Sequence, residues 1–466
     1  MREKVHVYEL FSPLVPDFVS LPMGKPVPYI HYITRLKDIP INVRTHAKKI
    51  IMDTMAVIAR GYLEAEYIQN LANMMRNDGR CTILGCDARV KEQTAALINS
   101  SSGTVLELDE GHRIAGSHAA VQILPATLAA SEFTACSGKE FLEAFIIGYE
   151  VGTRIGYALK PFREGLHTHG TWASIGAAIA ISLVFDKRDQ EFLENIMRIA
   201  ANMAHSTSWE TAITGATIRN VYAGLASLAG FLSYSFSNAG IKGQKNALIS
   251  SLAKAISSTG KINANPLINL EKEYFITKNY FKIFPCCGYT HAAIEATLSI
   301  KNEIEIDQIG KIIVYTFRDA AMLNSKNPKN SLAAKFSIPY IIAKTLLEDE
   351  LNIESFKDEK VAKKDWKKIA KVVSVVQDDE INRMFPEMWG AKVSIVLNNG
   401  KKFEKFVDNP RGDWRKPFDE KQLLSKFEST LPYILKNNNK EILQKINTLE
   451  KLSTINMLTD LFAPNR

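Results

Sequence analysis

Four short stretches concentrate the residue types that can move protons or hold anions. The first, residues 103–118 (GTVLELDEGHRIAGSH), packs Glu107, Asp109, Glu110, His112, Arg113 and His118 into a loop punctuated by glycine. Helix capping explains one of these acids. It does not explain three acids, two histidines and an arginine together, and loops on a rigid scaffold are where function concentrates. The second stretch, GLHTHGTWASIGAAIA (165–180), places His167 and His169 just before a very apolar helix. A helix N-terminus favours carboxylates and a neutral imidazole. Two histidines two residues apart could share a metal, but no third ligand is evident. A neutral histidine ready to accept a proton is the simpler reading.

The third stretch, WETAITGATIRNVYAG (209–224), contains Arg219, the only charge between Thr211 and Gly240. Its planar fork suits either an ion pair at the edge of the core or a clamp on a carboxylate. The fourth, YFKIFPCCGYTHAAIEA (280–296), gathers Lys282, Cys286, Cys287, Tyr289 and His291. A thiol nucleophile with His291 as base would need an activated thiolate. Small thiols filling a crowded turn are the plainer reading. His6, His31, His46 and His205 have no polar cluster around them in sequence and read as surface or satisfied core histidines.

The elements that must position these groups are mainly helical. Val43, Ala47, Ile50, Ile51, Met55 and Ile58 recur at helical spacing after Pro40. Further helices are predicted over 91–98, 121–131, 137–158, 175–185, 191–204 and 220–237, with Ser137 and Glu140 as a capping box. Strong strand signals are absent until residue 311. From there KIIVYTF, KVVSVV and two runs flanking Asn398-Asn399-Gly400 read as strands and a hairpin. Helices are predicted between them over 331–347 and 358–370, and afterwards over 419–436 and 440–462. The expected fold is therefore mainly α, a large all-helical domain plus a smaller α+β lid. The expected organisation is a Pro-rich extension (1–28), a helical domain (29–275 with 412–466) and the lid (276–411).

Composition narrows the function. The chain has 466 residues, 46% of them hydrophobic, which suits an ordinary globular protein rather than a disordered one. The net charge of +8 is spread without a polybasic block, with −4 over residues 101–200 and +4 over 201–300. That pattern argues against nucleic acid and favours a small acidic substrate. Five cysteines, an odd number in a long chain, point to a reducing, cytoplasmic setting. The longest apolar run, Thr171 to Phe185, is too short to span a membrane. No phosphate-binding glycine loop, dinucleotide fingerprint or serine-hydrolase elbow occurs.

Taken in order, the four stretches resemble the MmgE/PrpD family, which includes 2-methylcitrate dehydratase, cis-aconitate decarboxylase and iminodisuccinate epimerase. The likeness runs from about residue 29 to 430 and includes IIMDTMAVIARG, LDEGHRIAGSHAAVQILPA, HTHGTWASIGAA, RNVYAG, KIFPCCGYTHAAIEA, KFSIPYIIA, AKVSIVLNNGKKF and PRGDWRKPFDEKQLLSKF. The resemblance implies a homodimer, a cleft between helical domain and lid, and no metal or organic cofactor. It places Glu107 and Asp109 on the family's acidic loop, and His118 and His167 on its histidines. It puts Arg219 where a lysine is usual, and Lys282, His291 and Tyr340 along the cleft. His169 and Cys287 are further candidates for binding substrate.

Thr104, Glu110 and Ala119 depart from the family's pattern, and Cys287 stands where cis-aconitate decarboxylases carry histidine. The expected activity is a cofactor-independent acid/base lyase, a dehydratase of a small di- or tricarboxylate such as 2-methylcitrate. His118, His167 and Lys282 would transfer protons, and Arg219, always charged, would clamp the anion. The alternatives are an epimerase of an amino- or imino-dicarboxylate, a decarboxylase of the cis-aconitate type, or a non-catalytic relative.

Overall fold

The computed structural model describes residues 39–263, 265–268 and 273–464; the expected extension over 1–28, His6 and His31 lie outside them. Helix α1 (Ile41–Glu64) begins after extended Pro40 and buries the stripe of Val43, Ala47, Ile50 and Ile51. Helices α2 (Glu92–Gly103), α3 (Ala120–Thr134), α4 (Gly138–Ala158), α5 (Ala173–Val184), α6 (Gln190–Asn202) and α7 (Tyr222–Asn238) follow. The α4 start is set by the expected capping box: the Ser137 hydroxyl accepts from Glu140 N, and the Glu140 carboxylate accepts from Ser137 N at 2.8 Å.

Helix α5 has no polar face, because it is enclosed by α3, α4, α6 and α7. Burial of Ile175, Ile179, Ile181 and Leu183 contributes about 1.5–3 kcal/mol each. Its backbone touches that of α4 closely. A Cβ on Gly176 would lie 2.5 Å from Gly148 O, and one on Gly148 would lie 2.6 Å from Gly176 O. Only glycine at both positions permits this crossing, which fixes the segment bearing His167 and His169 just ahead of α5.

The lid contains α8 (His291–Ile300) and α9 (Ile338–Leu347), together with strands β1 (Ile309–Thr316), β2 (Val373–Gln377), β3 (Ala391–Leu397) and β4 (Lys402–Val407). The sheet order is β2-β1-β3-β4. β1 and β2 are parallel, with Ile312 opposite Val373, while β3 runs antiparallel to both β1 and β4. Gly400, at φ 84°, completes the tight turn of the β3–β4 hairpin. Helices α8 and α9 cover the sheet over a core that includes Ile294, Ile312, Ile342 and Val393. Helices α10 (Glu420–Thr430) and α11 (Asn439–Asn447) then return to α1, where Leu423, Phe427, Ile442 and Ile446 join Ile50 and Ile51 in the helical core.

The molecule is thus mainly helical with a smaller α+β part, and several predicted helices are interrupted. The one expected over 331–347 breaks between Ala334 and Ile338, since Ser337 caps a new helix whose first turn holds Pro339. The one over 358–370 breaks at Lys364, in the left-handed conformation at φ 61°. The one over 419–436 stops at Thr430, ahead of Pro432. Only Asn439–Asn447 of the stretch 440–462 forms a long helix. Two small ladders also occur in the first half, Cys81–Thr82 with Arg89–Val90 and Leu166–His167 with Thr207–Ser208. Among the described residues no helix is long and apolar enough to cross a membrane.

Candidate active site

A cavity of about 610 Å³ lies between the helical part and the lid, lined by Glu107, His118, His167, His169, Arg219 and Cys287 among others. The acidic loop enters it from the end of α2. Thr104 caps that helix and donates its hydroxyl to Asn220 O at 2.9 Å, which ties the loop to the turn bearing Arg219. Glu107 is buried in a left-handed backbone conformation, φ 53°, unusual for a residue with a side chain. Such strain persists only where surrounding contacts over-determine it. Here they do: Glu107 pairs with Arg219 and accepts from Lys282 Nζ at 3.1 Å.

Asp109 sits deeper. One of its oxygens accepts from Lys282 Nζ at 3.2 Å and the other lies 2.9 Å from His118 Nδ1. Burial works to raise its pKa, but His118, Lys282 and Arg219 outweigh that and hold it well below the usual carboxylate range. His118 Nδ1 also lies 2.8 Å from Glu110 O. With two acceptors facing Nδ1, the proton belongs there, which leaves Nε2 for the cavity. An aspartate that orients a histidine and stabilises its charged form is the arrangement of a proton-transfer dyad.

His167 is held differently. It lies in the short ladder opposite Thr207, its Nε2 faces Arg219 Nε at 3.2 Å, and its Nδ1 faces the backbone N–H of His169 at 3.2 Å. Burial and the neighbouring Arg219 keep it neutral, well below the ordinary histidine range. A donor therefore faces each nitrogen, although a neutral imidazole accepts at only one of them, so His167 is less free to shuttle a proton than its sequence context suggests. His169 is also depressed by burial, and both its ring nitrogens lack partners although the residue is fully buried. Its ring stands edge-on to His118, at 5.1 Å between centroids, and to His167, at 4.5 Å. Asp109, His118 and His169 offer ligand atoms within 4.8 Å of one another, a set that could hold a metal ion. Sequence spacing paired only His167 with His169, without a third ligand, and the expectation was of no metal. The one carboxylate of this set is already neutralised by Lys282.

Three expectations meet a different placement. Lys282 is fully buried behind Glu107 and Asp109 and does not line the cavity; burial opposes its charge, but the two carboxylates raise its pKa. It organises the acids rather than facing a substrate. Tyr340 is in the lid core, not in the cleft: its hydroxyl donates to Ser355 O at 2.6 Å and its ring packs on Trp366. The Ser337 cap directs α9, and with it Tyr340, into the lid. His291 opens α8 beneath the cavity wall, with Nε2 3.3 Å from Cys286 O, and burial pushes it down to about 3. Arg219, open between clamp and ion pair in sequence, pairs with Glu107 while lining the cavity. Cys287 does line the cavity, and burial pushes its thiol up to about 12, so it is no thiolate nucleophile.

The structure adds Lys426, which sequence reasoning missed. Its ammonium donates to Leu108 O at 3.0 Å and pairs with Asp53 at 2.6 Å, bracing the acidic loop from behind. Its signal was a lysine between Leu423 and Phe427 on the apolar stripe of α10. Lys335 does the same from the lid, donating to Val105 O at 2.8 Å.

Comparison with known proteins agrees with this architecture. The MmgE/PrpD N-terminal domain matches residues 29–253 and the MmgE/PrpD C-terminal domain matches residues 284–451. The chain belongs to the MmgE/PrpD family. It is similar to the cis-aconitate decarboxylase of Aspergillus terreus, 25% identical over 91% of this chain and 92% of that protein. It is also similar to the cis-aconitate decarboxylase-like protein oryM of Aspergillus oryzae, 24% identical over 93% and 95%. The cis-aconitate decarboxylase of Mus musculus is 22% identical over 89% and 88%. This MmgE/PrpD chain is an enzyme of a family whose members act on small carboxylates by acid–base catalysis.

Proposed function

We propose that the protein is a cofactor-independent lyase of small di- or tricarboxylates, and that it decarboxylates a substrate of the cis-aconitate type. The observation that carries the proton-transfer step is the Asp109–His118 pair, with Nδ1 held and Nε2 left for the cavity. In its charged form His118 donates a proton from Nε2 to one alkene carbon of the substrate. The bond to the departing carboxylate breaks, its electrons form the new C=C, and CO₂ leaves. Asp109 stabilises the imidazolium before transfer, and the Lys282–Glu107–Arg219 array keeps Asp109 ionised and in place. The similarity to cis-aconitate decarboxylases supports decarboxylation as the outcome.

A second reading, dehydration of a hydroxy-tricarboxylate such as 2-methylcitrate, is favoured by Cys287. That residue supplies a neutral thiol at the cavity wall where the decarboxylases carry histidine. In this case neutral His118 takes the proton beside a carboxylate and hydroxide departs. Purified protein mixed separately with cis-aconitate and with 2-methylcitrate separates the two. Decarboxylation releases one CO₂ per substrate and moves the C=C, so the conjugated ultraviolet band weakens because the new alkene bears one carboxylate instead of two. Dehydration makes that band appear from the saturated acid. No change with either substrate overturns both readings.

A further inference from the structure

The cavity extends well beyond the histidines. Its far end is walled by Phe162, Tyr289, Phe385 and Trp389, and Lys160 projects into it from just beyond the end of α4. The Lys160 ammonium donates to Arg113 O at 2.8 Å. No carboxylate lies within ion-pair distance of it among the described residues. An ammonium has three donors, so this one retains capacity for an anion.

The other charges of this end are matched or exposed. Arg113 pairs with Asp413 at 3.0 Å and lies over the Trp389 ring. Arg318 pairs with Asp319 at 3.2 Å, and Glu387 with Arg415 at 2.9 Å. Arg163 and Glu164 are exposed. Gly116 makes room for the lysine: it has φ 68°, and a Cβ there would lie 3.0 Å from Lys160 Cε and 2.6 Å from the Phe162 ring. Burial depresses the Lys160 amine to about 8, outweighing the opposite pull of the Glu387 carboxylate, so an anion in direct contact would restore the charge that the site disfavours when empty of one. Aromatic walls lower the local dielectric and strengthen such a contact.

We infer that Lys160 is the receptor for the substrate carboxylate remote from the reacting carbon, making this site selective for tricarboxylates over dicarboxylates. The inference rests on the carboxylate-lyase reading above and narrows its substrate class. It is tested by calorimetric binding of propane-1,2,3-tricarboxylate and of methylsuccinate, which is the same skeleton without one terminal carboxylate. Wild-type protein should bind the tricarboxylate more tightly. Lys160→Met should weaken tricarboxylate binding by at least about thirtyfold, the low end for losing a buried hydrogen-bonded charge partner, and leave methylsuccinate little changed. Lys160→Arg should retain the preference. Equal weakening of both ligands in Lys160→Met, or none, overturns the subsite while leaving the lyase reading intact. Failure of wild-type protein to bind either ligand sinks the carboxylate reading itself. Unchanged methylsuccinate binding also reports that the variant is folded.

Discussion

Two buried charge clusters, one along α4 and one built on the acidic loop, serve different ends. In the first, Glu150 and Arg154 pair along one face of α4 at 3.2 Å. Around the pair, Arg154 donates to Pro266 O and Glu273 O, and Glu150 accepts from Ile276 N. The Phe275 ring covers the guanidinium. In the second, Glu107, Asp109, Arg219, Lys282 and His118 also form ion pairs, but the cluster opens on the cavity. His118 keeps one nitrogen for the cavity, and His169 has two without partners. A closed network pins chain segments together. An open one stores charge where a ligand can use it.

The sharpest way to break this contrast is His118→Asn. It should lower turnover by about 10²–10⁴-fold, the range for loss of a positioned acid or base, with the melting temperature close to wild type. Full activity in that variant would remove the dyad from the mechanism. Arg154→Met should do the opposite. It leaves Glu150 buried and uncompensated, so denaturant unfolding should show a loss of about 3–5 kcal/mol, while folded molecules keep their turnover. A selective loss of turnover without loss of stability would erase the distinction between the clusters.

Glu110 bridges the two regions, accepting from Tyr149 of α4 and from Ala120 N at 3.0 Å. Burial pushes it up from 4.5 to about 8. Because the folded value is the higher one, the native state keeps the proton that the unfolded chain releases. The stabilising contribution is complete at low pH and is lost as pH rises from about 4.5 through 8. Across that window wild-type stability should fall relative to Glu110→Gln by up to about 1.4 kcal/mol per pH unit. Parallel stability curves would exclude this titration. The smallest expected effect is that of Tyr340→Phe. It removes the bond to Ser355 O and should cost about 1 kcal/mol of stability, with turnover unchanged. A large drop in turnover would return Tyr340 to the site.

Much of the helical part was legible because its cause is local. Ser137 and Glu140 cap α4 as their spacing implies, and Asn399-Gly400 turns the hairpin. The break at Lys364 was not legible, since its segment keeps helix-forming composition, whereas the one before Ile338 carried a local signal in Ser337 and Pro339. For the site, residue types marked the loop and the histidines. They could not separate His118 from His167, because that depends on which nitrogen meets Asp109 and which meets Arg219.

The order of apolar and polar residues by itself determined a mainly helical chain, its α+β lid and an acid- and histidine-rich loop, since periodicity and capping act over a few residues. Tertiary structure alone decided the rest. Lys282 and Asp109 are 173 positions apart and meet at 3.2 Å. That contact holds Asp109 ionised against His118 and keeps Lys282 behind the cavity. Burial and pairing arise from segments distant in sequence, and they set which charged groups remain available to a substrate.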